Sequence, residues 1–211
     1  MNTPAFALLV AAIVLAAVDW AAVATSRRIL EYATKVGVMV ALIAFAVVIH
    51  PASDTQRWFF AAALALGLIS DVFLMLPRDM FLAGLVAALV EHLAYITGFR
   101  ARELVAVWLA IALLIALASV AVFLPPIHRA LRAQRPGLVA PVYAYVAVFV
   151  VMVASAGGTG SLVALAGALL FFYSDAILAW NRFVRPIRYG RVVNLVPYHL
   201  GQVLLVLSLV S

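Results

Sequence analysis

Long apolar stretches separated by short polar breaks run along the whole of this chain. Read between charged residues, prolines and glycines, they are Pro4–Trp20, Tyr32–Ile49, Trp58–Leu76, Phe81–Phe99, Leu104–Leu124, Val139–Ala154, Leu162–Trp180 and Val192–Leu209. A helix that crosses a bilayer needs about 17–25 mainly apolar residues, whereas a spanning strand needs about 9–11. Backbone groups in lipid must also find partners within the spanning element or a closed barrel. The pattern therefore predicts an all-α integral membrane protein of about eight transmembrane helices, with residues 1–211 as a single transmembrane domain. The sixth run is short, and Gly157-Gly158-Thr159-Gly160 after it reads as a turn. Met1–Thr3 carry no basic residue of the kind that opens a signal peptide, so the first run reads as a retained helix.

Composition agrees with this. The chain is 68% hydrophobic and 10% charged, with a mean hydropathy of +1.21, against about 45–50% apolar and about 25% charged in an ordinary soluble domain. The formal charge of +6 would suggest nucleic acid in a soluble protein, but here the basic residues sit in the gaps between spans. Arg27, Arg28, Arg78, Arg129, Arg132, Arg135, Arg182, Arg185, Arg188 and Arg191 occupy the first, third, fifth and seventh connections. The even connections carry Arg57, Arg100 and Arg102. The positive-inside rule then puts the odd connections in the cytoplasm and both termini outside, with no nucleic-acid function. The segment from Arg182 to Arg191 reads as a topology determinant that can also meet lipid headgroups. Cysteine is absent, which removes disulfides and thiolate chemistry.

Two segments echo each other. Ser70-Asp71-Val72-Phe73-Leu74 through Arg78 ends the third run, and Ser174-Asp175-Ala176-Ile177-Leu178 through Arg182 ends the seventh. The next run in each case carries His-Leu, at His92-Leu93 and His199-Leu200. The echo suggests a parallel four-plus-four repeat; chance recurrence among abundant Leu, Ala and Val is the alternative.

Intramembrane acids are expensive and by default mark function. Asp71 and Asp175 each lie five positions before the end of their run, about 7–8 Å deep at 1.5 Å per residue. Lys35 lies near the cytoplasmic start of the second run, Glu91 and His92 near the middle of the fourth, and Tyr198, His199 and Gln202 in the cytoplasmic half of the eighth. Five helices thus supply polar groups to one half of the bundle. Asn194, Tyr198 and Gln202 make one stripe at i, i+4 and i+8, and Tyr95 lies one turn beyond Glu91 and His92. Duller readings exist for each: Lys35 as a snorkelling anchor, the histidines as core residues, a static latch of an Asp with Lys35, and Tyr143, Tyr145, Trp180 and Tyr189 as packing or interfacial aromatics. No nucleophile elbow, zinc-protease motif or phosphate loop is present. No metal or other cofactor is expected.

At these residues the chain resembles the YhhN family of membrane proteins, the lysoplasmalogenases. Gly167–Phe183 is similar to the family's G-A-x-L-F-x-x-S-D-x-x-L-A-x-x-R-F. Asp71, Leu74 and Met75 match its G-D-x-x-L-M, His92 and Tyr95 its H-x-x-Y, Pro141-Val142-Tyr143 the start of its sixth helix, and Tyr198 with Gln202 its Y-x-x-x-Q. Lys35 resembles the lysine of its K-P pair. Ser70 stands where the family has Gly, and Val36 where it has Pro. The resemblance implies an eight-helix bundle; the arginine count places its cavity toward the cytoplasmic side, and the plasma (inner) membrane of a bacterium is the expected location. The resemblance also implies hydrolysis of the vinyl ether of a lysophospholipid substrate, lysoplasmalogen, to a fatty aldehyde and a glycerophospho-base. Such an ether hydrolase needs an acid to protonate the vinyl β-carbon and a carboxylate to stabilise the cation and direct water, as carboxyl pairs do in glycosidases. Asp71 and Asp175 are the expected catalytic pair. Lys35 would bias one of them or hold the phosphate, and Glu91, His92, Tyr95, Tyr198, His199 and Gln202 would bind or orient substrate and water. Alternatives are a proton-coupled carrier, for which intramembrane acids and repeats also speak, and a lysolipid-binding protein without turnover.

Overall fold

The computed structural model describes residues 3–210, and every one of the eight apolar runs is a helix long and apolar enough to span a membrane. They are α1 (Thr3–Ala24), α2 (Arg28–Val48), α3 (Asp54–Met75), α4 (Phe81–Arg100), α5 (Ala106–Gln134), α6 (Val139–Gly158), α7 (Leu162–Ala179) and α8 (Gly190–Leu207). Ser53 and Ser161 start α3 and α7 as N-caps, accepting from the amides of Gln56 and Ala164 and so satisfying donors that a helix start leaves unpaired. No strand occurs among the described residues.

Sequential helices pack as hairpins, and the hairpins close into a ring in the order α1, α2, α3, α4, α6, α7, α8 and back to α1. The long α5 lies outside this ring against α6 and α7. Large buried side chains, among them Phe45, Phe60, Leu64, Tyr95, Phe99, Met152 and Leu205, fill the half of the ring away from the arginine-rich connections. Lipid is as apolar as these side chains, so association depends on close packing through small residues. α7 and α8 illustrate this. A Cβ at Gly201 would lie 2.9 Å from the Phe171 amide nitrogen and 3.0 Å from the Gly167 carbonyl oxygen. Both are backbone atoms that cannot step aside. Gly201→Ala is therefore expected to destabilise the bundle by about 1–3 kcal/mol, read as a lower midpoint of thermal unfolding in detergent.

Two sequence expectations are corrected. Gly157 and Gly158 are the last residues of α6 rather than part of a turn; they are glycines because α5 crosses there, a Cβ at Gly157 falling 2.3 Å from that of Ala112. The reversal comes at Thr159-Gly160, where Gly160 takes φ +74°, a conformation that favours glycine. The fifth helix does not stop at Leu124. It continues through Pro125 and Pro126 to Gln134, because Ile127 and Leu131, one turn apart, bury against Phe81, Val142 and Phe183. Arg129 and Arg132 thus sit on a helix surface and not in a loop.

Candidate active site

A cavity of about 620 Å³ opens inside the ring in its arginine-rich half. Asp71, Asp175, Glu91, Lys35, Tyr198 and Tyr145 all line it. Helix geometry accounts for their meeting. Asp71 and Asp175 each sit about one turn before the end of a helix, α3 and α7. Lys35 sits two turns into α2, deeper than the sequence run suggested, because that helix begins at Arg28.

The two aspartates have different partners. Asp71 is gripped from two sides: the Lys35 ammonium lies 2.8 Å from Oδ1, and the Tyr198 hydroxyl donates to Oδ2 at 2.6 Å. The same ammonium lies 5.3 Å from the Tyr198 ring centre, which tightens the group further. Asp175 makes no ion pair among the described residues; its Oδ2 accepts from the Tyr145 hydroxyl of α6. One carboxyl is thus charge-compensated and the other is not.

Glu91 forms a third acidic point on the wall. It accepts from Gln202 Nε2 at 2.7 Å, and Gln202 Oε1 in turn accepts from Tyr95 at 2.6 Å. Gly67 makes the seat for this carboxylate, since a Cβ there would stand 2.6 Å from Glu91 Oε1. The lining also has an apolar part, built by Val120, Phe123 and Leu124 of α5 with Phe149 and Phe172.

The residues singled out from sequence therefore divide. Lys35, Asp71, Glu91, Asp175 and Tyr198 share the cavity, while Gln202 and Tyr95 stand behind it as a relay to Glu91. The histidines stand apart from it. His92 is enclosed by the rings of Tyr145, Phe149 and Phe171, and neither of its nitrogens has a hydrogen-bond partner among the described residues. His199 faces α1, where Trp20 Nε1 donates to its Nδ1 at 3.0 Å. Among the described residues no three His, Asp or Glu side chains converge as a metal-ligand set.

Tyr145, read from sequence as a packing aromatic, is buried and holds Asp175. Asp19 was not singled out at all, although an acid in an apolar run is itself a signal. It is fully buried on α1 and accepts from Thr34 at 2.8 Å. Asp19 and Trp20 thus hold Thr34 and His199, the chain neighbours of Lys35 and Tyr198, the two residues that grip Asp71. α1 is a backing plate for that grip. Thr34→Val leaves the buried Asp19 without this donor and is expected to cost about 1–3 kcal/mol, measured by thermal unfolding.

The mouth is ringed by charge. Arg191 pairs with the buried Glu31, and Tyr32 donates to the Met75 carbonyl. In the connection between α3 and α4, Asp79 meets Arg182 at 2.6 Å and Arg135 at 3.4 Å. The Arg182 guanidinium holds its carboxyl below the usual carboxylate range. An exposed pair of this kind adds little stability, but it ties the α3–α4 connection to the π-helical segment Trp180–Val184 that continues α7. A cavity lined by both acids and apolar side chains, with Arg28 and Arg191 also on its lining, suits an amphiphile with an anionic head.

The model of the YhhN family matches residues 30–209. The chain is 31% identical to a mouse protein named lysoplasmalogenase TMEM86B over 157 residues, 73% of this chain and 64% of that protein. The human protein of that name is 32% identical over 150 residues and the pig protein 35%, each match covering 69% of this chain and 61% of the relative. The matches thus span a little under two thirds of each relative's length. No solved structure matches.

Proposed function

The chain belongs to the YhhN family, and we propose that it is a membrane hydrolase that cleaves the vinyl ether of lysoplasmalogens. The names of the mammalian relatives support this. The observation that carries it is the inequality of two carboxyls on one cavity: Asp71 compensated by Lys35 and Tyr198, Asp175 held, among the described residues, by a phenol.

In this reading Asp175 is the acid and Asp71 the standing carboxylate. Asp71 already has the Lys35 ammonium as its counter-charge, whereas Asp175 meets a phenol hydroxyl. Asp175 passes its proton to the β-carbon of the vinyl ether, and the π electrons leave a cation shared between the α-carbon and the ether oxygen. Asp71, with the field it shares with Glu91, stabilises that cation. Water adds to the α-carbon and gives up a proton to a carboxylate. The resulting hemiacetal breaks its bond to the glycerol oxygen, which takes a proton, and releases the aldehyde. The sum is one vinyl ether and one water to one aldehyde and one alcohol, with the acid restored and no redox partner needed. The fatty chain would lie along Val120, Phe123, Leu124 and Phe172. The arginine bias of the odd connections supports a cytoplasmic orientation of the mouth.

The test is aldehyde release by the purified protein supplied with lysoplasmalogen in detergent. Release at rates far above the uncatalysed background is the expected result. Binding of lysolipid with no aldehyde at any pH or with either headgroup would replace the hydrolase with a lipid-binding protein. Solute accumulation driven by a proton gradient in proteoliposomes would replace it with a carrier.

A further inference from the structure

We propose that Arg28 and Arg191 at the cavity mouth form a subsite for the phosphate of an anionic headgroup; the lipid identity of that headgroup rests on the hydrolase reading above. Lys35, the cation that sequence offers for a phosphate, is taken: its ammonium is on Asp71 at 2.8 Å. Deeper in the cavity, Lys35 is matched by Asp71, and Asp175 and Glu91 meet only the neutral donors Tyr145 and Gln202, so the floor offers an anion no free positive charge among the described residues. At the mouth the balance reverses. Arg28 and Arg191 both line the cavity there, with Glu31 as the acid between them. Arg28 has no ion pair among the described residues, and Arg191 gives one side of its guanidinium to Glu31, which leaves further N–H donors on its fork. Guanidinium groups match phosphate oxygens in geometry as well as charge.

The spacing matches the chemistry. Arg28 precedes Lys35 on α2, and Arg191 precedes Tyr198 on α8, by the same interval of nearly two helical turns. Each arginine therefore stands on the same face of its helix as one of the two residues gripping Asp71, about 10 Å nearer the mouth. The glycerol backbone and ether oxygen between phosphorus and the vinyl β-carbon span a comparable length when extended. A phosphate held by the arginines would put the reacting bond beside the aspartates and the chain along the α5 wall. The arginines set the depth at which the lipid stops.

Binding can be read without turnover by titrating the full-length protein in detergent with 1-alkyl lysophosphatidylethanolamine, whose saturated ether has no double bond to protonate. The parallel titrants are 1-alkylglycerol, which lacks phosphate, and inorganic phosphate. Arg28→Gln is expected to weaken the phospholipid about five- to tenfold, as for loss of one charge-assisted contact in a partly exposed site, and to leave 1-alkylglycerol unchanged. Arg188→Gln, in which the lost cation lies against Tyr189 and outside the cavity lining, is expected to change neither. Preference for the phospholipid over inorganic phosphate assigns the site to a lipid head. Equal affinity for inorganic phosphate, lost with Arg28→Gln, supports the anion site but assigns it to a soluble phosphate. Unchanged phospholipid binding in Arg28→Gln and in Arg28→Gln/Arg191→Gln overturns the subsite, even if aldehyde is released. A failed aldehyde assay with arginine-dependent binding overturns only the hydrolase reading.

Discussion

Replacing Asp175 by Asn is expected to lower aldehyde release about 10²–10⁴-fold, the usual contribution of a positioned general acid, while leaving KM for lysoplasmalogen nearly unchanged. Asn keeps the shape of the side chain and can still accept from Tyr145, so binding should survive while the proton donor is lost. Asp71→Asn should also lower turnover, by a different route. The carboxylate that stabilises the oxocarbenium ion becomes neutral, and Lys35 loses its counter-charge inside the cavity. An uncompensated ammonium there opposes a cationic transition state directly. Both substitutions act on one proton-transfer unit, so the double variant should lose less than the product of the two single losses. The measurement is kcat and KM from aldehyde release for all four proteins, with fold checked by thermal unfolding. Turnover undiminished in both single variants would remove the aspartate pair from the mechanism.

Lys35→Met is expected to be the most damaging substitution for stability, at about 3–5 kcal/mol, because it breaks a buried ion pair from one side and leaves a charge uncompensated. The lysine and aspartate side chains are only 11% and 6% exposed, so the orphaned charge stays largely desolvated. Combining it with Asp71→Asn removes the orphaned charge, and the double variant should recover most of the loss. Thermal unfolding of the set in one detergent gives the coupling between the two residues. Additive losses would mean that Lys35 acts as an interfacial anchor and not as the partner of Asp71. The arrangement also explains why Tyr198 and the α1 residues behind it matter: they hold Asp71 and Lys35 against each other at the cavity wall.

The eight helices were legible in the sequence because spanning is a local property. Each run must be apolar over the thickness of the bilayer and satisfy its own backbone, and a reader needs no knowledge of neighbours to see it. The common side of the arginine-rich connections and the similar depths of Asp71 and Asp175 follow from the same counting. Helix ends were less legible. Pro125-Pro126 reads as a stop, yet burial of Ile127 and Leu131 against Phe81 and Phe183 carries α5 onward. Gly157-Gly158 reads as a turn, yet the glycines serve a helix crossing.

Partnership was decided by tertiary structure alone. The order of helices around the ring, with α5 outside it, depends on which small-residue faces meet, and the rotation of each helix depends on its neighbours rather than on its own pattern. That rotation turns Tyr145 onto Asp175, buries His92 among aromatic rings and faces His199 to Trp20. It also gives Lys35 to Asp71 and leaves Asp175 without an ion pair among the described residues. Sequence determined that two acids would be costly in the membrane; packing decided which of them was compensated, because the compensating charge comes from another helix.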